Sequence, residues 1–189
     1  MTMNAVVNRA IEVLSAGGLI LYPTDTVWGI GCDATNEAAV QKIFALKQRA
    51  DSKSLIILLP DVKSVFNYVA NPLPDLVGLL NTFDRPTTVI YPQAVGLAGN
   101  AIHSDGTVAI RVTADAFCKT LLKRYKKPIV STSANVSGKP TPQVFTDIEE
   151  HIKKGVDYIA EYRQEETTIH APSRIIRWLE DGSIVVIRP

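Results

Sequence analysis

The sequence predicts an α/β fold: a single domain in which a twisted mixed sheet is flanked by helices. Three observations carry that expectation. Segments with apolar residues at helical spacing alternate along the chain with short, continuous apolar runs of strand type. A length of 189 residues suits one compact core. The last two apolar runs flank Asp181-Gly182, a hairpin signal that adds antiparallel pairing. No internal repeat, low-complexity stretch or linker divides the chain, so 1–189 reads as one domain.

The elements follow in order. Val6, Val7, Ala10, Ile11 and Leu14 share one helical face, and Gly17-Gly18 supplies a stop. Residues 19–22 read as a buried strand ended by Pro23. A helix over 36–47 has Asn36 as its cap and Ala39, Val40, Ile43 and Phe44 inward. A strand over 54–59 closes on Pro60, and helical patterns over 61–70 and 74–83 are separated by Asn71-Pro72. Strands over 87–91 and 106–112 precede a helix over 114–126 with Phe117, Cys118, Leu121 and Leu122 on one face. A strand over 128–131, a helix over 143–154, and the hairpin 174–179 with 184–187 complete the chain.

Composition narrows the function classes. The chain is 46% hydrophobic and 21% charged, too apolar for disorder. A net charge of +1 leaves nucleic-acid binding to local clusters alone. Cys32 and Cys118 stand far apart without metal-ligand spacing, which reads as two buried thiols in a reducing compartment, a single disulfide being the alternative. The amphipathic start over 1–15 has neither signal-peptide nor membrane-span character, so a cytoplasmic protein with no membrane association is expected.

Polar residues concentrate in three places. Tyr22 to Ala34 packs threonines and glycines directly after a buried strand, where α/β sheets place ligands. Hydroxyls there can bond a substrate and glycines let backbone N–H groups approach an anion, although a strand-to-helix loop with an Asx turn at Asp25 explains the same residues. Neither a GxGxxG fingerprint nor a P-loop is present. Lys47, Arg49 and Lys53 put three cations within seven residues, suited to a triphosphate or carboxylate, or equally to a helix C-terminus. Ser131-Thr132-Ser133-Ala134-Asn135-Val136-Ser137-Gly138 gathers neutral donors and acceptors that can hold ribose, phosphate or an amino acid, or cap a turn.

Taken together, these runs resemble the YrdC-like family over nearly the whole chain. The family's opening run is similar to Pro23-Thr24-Asp25-Thr26-Val27-Trp28-Gly29-Ile30-Gly31, its Lys-x-Arg to Lys47-Gln48-Arg49, and its Ser-Ala-Asn to Ser133-Ala134-Asn135 with Ser137-Gly138 following. Thr107-Val108-Ala109-Ile110-Arg111, Pro172-Ser173-Arg174-Ile175 and Arg188-Pro189 match later elements in the same order. The chain departs from the family at Ala50, where a proline is usual, at Lys53-Ser54-Leu55, and at Asp84-Arg85-Pro86-Thr87-Thr88, where Arg85 adds a charge.

The resemblance implies a nucleotidyltransferase that condenses L-threonine, bicarbonate and ATP into threonylcarbamoyl-adenylate, releasing pyrophosphate. A downstream transfer complex then moves the threonylcarbamoyl group to tRNA adenosine. Carried onto this chain, it implies Lys47 and Arg49 as catalytic cations. ATP would be held by Lys47, Arg49, Lys53, Thr88, Ser133, Asn135, Ser137 and Arg188. Threonine would be held by Thr24, Arg111, Thr132 and Ser173, with Arg111 forking its carboxylate. Magnesium would arrive with ATP, and no tightly bound cofactor or protein metal site is expected. His103, His151 and His170 have no diagnostic spacing and read as surface or structural. Two further readings stay open. One is double-stranded RNA or tRNA contact through Lys119, Lys123, Arg124, Lys126, Lys127, Lys153 and Lys154. The other is a nucleotide-binding paralogue that lacks the reaction.

Overall fold

The structure is a computed structural model that describes residues 2–48, 55–72, 75–179, 181 and 183–189. Helix α1 (Met3–Ser15) starts at Thr2, whose hydroxyl accepts from the Ala5 N–H at 3.4 Å, and buries Val6, Val7, Ala10 and Leu14. Strands β1 (Ile20–Tyr22) and β2 (Gly29–Gly31) precede α2 (Glu37–Lys47), which Asn36 caps by accepting from the Ala39 N–H at 3.1 Å. Then come β3 (Ile56–Leu59), α3 (Leu76–Asn81), β4 (Thr87–Tyr91) and β5 (Val108–Val112). Helix α4 (Ala116–Tyr125) is capped by Asp115, which accepts from the Cys118 N–H at 2.8 Å. Strand β6 (Ile129–Ser133), α5 (Glu150–Gly155), β7 (Tyr158–Ile159), β8 (Arg174–Trp178) and β9 (Ile184–Arg188) follow.

The nine strands among the described residues share one sheet in the order β7-β1-β2-β6-β3-β5-β4-β8-β9. β1–β7, β3–β5 and β4–β8 run parallel, and the other neighbours antiparallel. The expected mixed α/β sheet is therefore present, with its antiparallel pairing spread through the middle as well as in the β8–β9 hairpin. Side chains alternate between its faces. One face carries Leu21, Ile30, Val130, Ile57, Ile110, Val89 and Ile176 against α2 and α3. The other carries Ile20, Tyr22, Ile129 and Leu58 against α1 and α4, and that second cluster contains no residue of β4, β5, β8 or β9. Beyond the edge of α1 and α4 the second face opens into a cavity.

Four elements differ from expectation. The helix over 61–70 is a short 3-10 turn, Lys63–Asn67, with Asp61 bonding the Ser64 N–H and hydroxyl and only Val65 buried within it, too narrow an apolar stripe for a longer helix. The helix over 143–154 is split. Asp147 accepts from the N–H groups of Gln143 and Val144, Ile148 is extended, and α5 begins only after it. β2 lies inside the glycine-bearing stretch read as a loop. A Cβ on Gly31 would sit 2.8 Å from the Tyr22 ring and 2.9 Å from the Val130 carbonyl, so the pairing itself requires glycine there. β7 is two residues long and has no pattern to read. Cys32 and Cys118 are free and buried, and burial pushes both thiols up.

Candidate active site

The open part of the second face holds a cavity of about 310 Å³. Its floor comes from alternate residues of four strands, Ile56, Ala109, Ile90 and Ile175, and its rim from Thr26, Ser131, Thr132, Ser133, Thr141, Ser173 and Arg188, with Arg111 between. Register explains the convergence. Arg111 pairs with Leu58 on one side and Thr88 on the other, and Thr88 pairs in turn with Ile175.

Arg111 is only 4% exposed. Its Nη1 donates to Thr26 Oγ1 at 3.0 Å, and its Nη2 lies 3.4 Å from Asp25 Oδ1 in an ion pair. The other Asp25 oxygen accepts from Thr113 Oγ1 at 3.2 Å and from the Ala114 N–H at 3.1 Å. Thr24 Oγ1 accepts from the Thr26 N–H at 3.0 Å and donates to the Val27 carbonyl at 2.7 Å, which folds the threonine loop upon itself. A buried guanidinium is stable here because a carboxylate and a hydroxyl already face it.

Arg188 approaches from the edge of the sheet. Its Nε and Nη2 donate to the Ser173 carbonyl at 3.0 and 2.7 Å. Ser173 is buried and its Oγ lies 2.8 Å from Thr88 Oγ1, which is fully buried behind it. Among the described residues Arg188 has no carboxylate within ion-pair distance. Burial, and then the neighbouring positive Arg111, lower its pKa from the ordinary arginine value.

Lys47 is 1% exposed at the end of α2. Its ammonium donates to the carbonyls of Ser133 and Asn135, the latter at 2.6 Å, while its own carbonyl accepts from the Ser137 N–H at 2.9 Å. Asn135 Nδ2 donates to the carbonyls of Val136 and Lys139 at 3.1 and 2.7 Å. Lys47 thus ties the loop after β6 to α2, and Asn135 shapes the turn that follows.

The structure therefore brings Arg111, Thr132, Ser133, Ser173 and Arg188 onto one cavity, with Thr24 and Thr88 bonded directly behind lining residues. Lys47, Asn135 and Ser137 form the neighbouring loop framework; Arg49 and Lys53 lie outside the described residues. Sequence reasoning passed over three participants. Thr26 sits two residues after Thr24 in the same run, a spacing that points to it, whereas the sequence offers Asp25 only as a turn residue. Thr141, on the rim, carried no signal. The basic residues weighed for RNA are partly engaged internally. Arg124 bonds Asn4 and Asn8, Lys127 bonds Asp33 at 2.7 Å, and Lys153 lies near Glu150 and over the Phe145 ring. Among the described residues no helix is long and apolar enough to cross a membrane, and no three His, Cys, Asp or Glu side chains group to hold a metal.

The family model Sua5_yciO_yrdC, described as "Telomere recombination", matches residues 12–189. The threonylcarbamoyl-AMP synthase of Hahella chejuensis is 36% identical over 154 residues, 80% of this chain and 83% of that protein. The protein of the same name from Idiomarina loihiensis is 34% identical over 169 residues, 87% of this chain and 89% of its own. Among solved structures, P. abyssi Sua5 complexed with L-threonine superposes with a TM-score of 0.85 at 25% identity. That match covers all of this chain but only 55% of the solved one, so the chain spans about half the length of that relative.

Proposed function

The chain belongs to the Sua5/YciO/YrdC family, and from that premise we propose that it is an L-threonylcarbamoyladenylate synthase. It joins L-threonine, bicarbonate and ATP into threonylcarbamoyl-AMP. The threonine amine and bicarbonate form a carbamate with loss of water. A carbamate oxygen then attacks the α-phosphorus of ATP, and pyrophosphate leaves. The product is an activated mixed anhydride, which a separate transfer complex consumes when it modifies an adenosine of tRNA.

One observation carries this reading: a single cavity holds two arginines in unlike electrostatic settings. Arg111 is paired with Asp25 and Thr26, a neutral, preorganised fork suited to the carboxylate of a zwitterionic amino acid. Arg188 has no acid beside it among the described residues and suits a polyanion. Thr132, Ser133 and Ser173 offer neutral hydrogen bonds between the two, with Thr24 and Thr88 supporting from behind. Lys47 acts on the nucleotide side through the loop that it holds, together with Arg49, Lys53, Asn135 and Ser137. Magnesium enters as part of the ATP substrate. Catalysis comes from assembling three substrates and from fixed positive charge rather than from a tuned base. The protein works in the cytoplasm. RNA contact has weaker support, because Arg124 and Lys127 are held by internal bonds.

The test is pyrophosphate release from ATP by the purified chain, with threonine and bicarbonate supplied together and singly. Release that needs both is expected. ATP binding without release under any mixture would favour the nucleotide-binding paralogue instead.

A further inference from the structure

Arg163 stands outside the walls of the Arg111 cavity, yet it is bonded to the loop that orients Arg111. Its φ of 59° is left-handed, a conformation that costs a non-glycine residue energy and persists where the surroundings hold it. Three nitrogens of its side chain bond three partners. Nη1 meets Asp115 Oδ2 at 2.6 Å, Nε meets Glu166 Oε2 at 2.6 Å, and Nη2 donates to the Thr24 carbonyl at 3.0 Å. Each partner has a different place in the fold. Asp115 caps α4, and Glu166 lies in Arg163's own turn, closed by the Glu166 N–H on the Arg163 carbonyl at 3.2 Å. The Thr24 carbonyl opens the run that carries Asp25 and Thr26 to Arg111. Burial alone would lower the guanidinium's pKa, but Glu166 and Asp115 outweigh it and raise it.

We infer that Arg163 is a positioning residue for the amino-acid end of the cavity: by holding the Thr24 carbonyl against α4 it fixes the Thr26 hydroxyl that orients Arg111. Residues 163–173 lead along the chain from this anchor to the cavity wall at Pro172 and Ser173. A planar fork is needed for three directions at once; a lysine ammonium can neutralise Asp115 but cannot reproduce the set. Asp115 also explains why α4 is involved, since its second oxygen is already committed to the helix cap. This inference rests on the synthase reading for the identity of the ligand, L-threonine.

The experiment compares the intact chain with Arg163→Lys, Arg163→Met and Glu166→Gln. It reads kcat and the KM values for threonine and ATP, threonine affinity by calorimetry, and Tm. Arg163→Lys is expected to fold, to weaken threonine binding and raise its KM about tenfold, and to leave the KM for ATP within about twofold. Arg163→Met is expected to do the same to a greater degree. Glu166→Gln removes the charge of the pair inside the turn while keeping an oxygen that can accept from Arg163 Nε, and is expected to leave threonine KM within about twofold. Should the Met variant fail to fold, the Lys variant decides the matter. Equal threonine affinity in wild type and Arg163→Lys overturns the inference, as does a parallel rise in both KM values with a falling Tm. Threonine binding without any pyrophosphate release in the wild type sinks the synthase reading alone. No threonine binding in the wild type sinks both.

Discussion

The two ends of the cavity are built from the same kind of side chain and behave as different instruments. At one end Arg111 is almost fully enclosed, and its charge is matched by Asp25, itself tied to Thr113 and Ala114. At the other, Arg188 reaches in from the edge strand β9 and leans on a carbonyl that orients it without neutralising it. Among the described residues the first end is preorganised and nearly neutral, and the second carries net positive charge. An amino acid presents one carboxylate and one ammonium and gains most from geometry. A triphosphate presents several negative charges and gains most from uncompensated cations. The sheet achieves the contrast by position: Arg111 lies on a central strand, where neighbours enclose it, and Arg188 on an edge strand, where they do not.

Removing Arg111 should have the largest effect. Arg111→Met leaves Asp25 in a protein interior without its counter-charge and takes the fork from the end we propose for the amino acid. Breaking a buried pair in this way costs on the order of 3 kcal/mol of stability. Threonine-dependent pyrophosphate release should fall by about a hundredfold or more. A variant with near-normal release and an unchanged Tm would abolish the contrast between the two ends. Arg188→Gln should do less, and selectively. Losing a charged donor at a partly exposed position should weaken ATP binding by roughly tenfold, with threonine affinity nearly unchanged. Calorimetric titration with each ligand separates these outcomes. Threonine affinity falling as far as ATP affinity would show that the two ends are not distinct.

The contrast was only half legible in the sequence. Helical periodicity located α1, α2 and α4, and continuous apolar runs located β1, β3, β4 and β6, because those elements bury one clear face. Arg111 and Arg188 were reachable through the family resemblance of their short runs. Their different surroundings were not, since the Asp25 ion pair joins residues 86 positions apart and exists only once β5 lies beside the threonine loop. Lys47 shows the same limit. The sequence offers it as a cation for phosphate, whereas its burial and its bonds to the Ser133 and Asn135 carbonyls depend on how α2 meets β6. The helix expected over 143–154 is broken locally: Val144 and Ile148 are extended, and Asp147 accepts from the N–H groups of Gln143 and Val144 to close a separate short turn before α5.

The finest division of the two ends is made by altering charge alone. Asp25→Asn preserves size and retains one oxygen acceptor, so the threonine loop keeps its shape, but Arg111 loses its counter-ion. The Arg111 end then carries the same sign of net charge as the Arg188 end. The expected consequence is a change of preference rather than a loss of the site. Inorganic phosphate should compete with threonine a few-fold more strongly than in the wild type, because an anion now meets an uncompensated guanidinium. Threonine itself gains less, since its ammonium feels the added positive charge as repulsion. Calorimetry of threonine in the presence of graded phosphate reads the difference directly. If phosphate competes equally in both proteins, Asp25 serves only to hold the loop, and the electrostatic contrast between the ends depends on Arg188 alone.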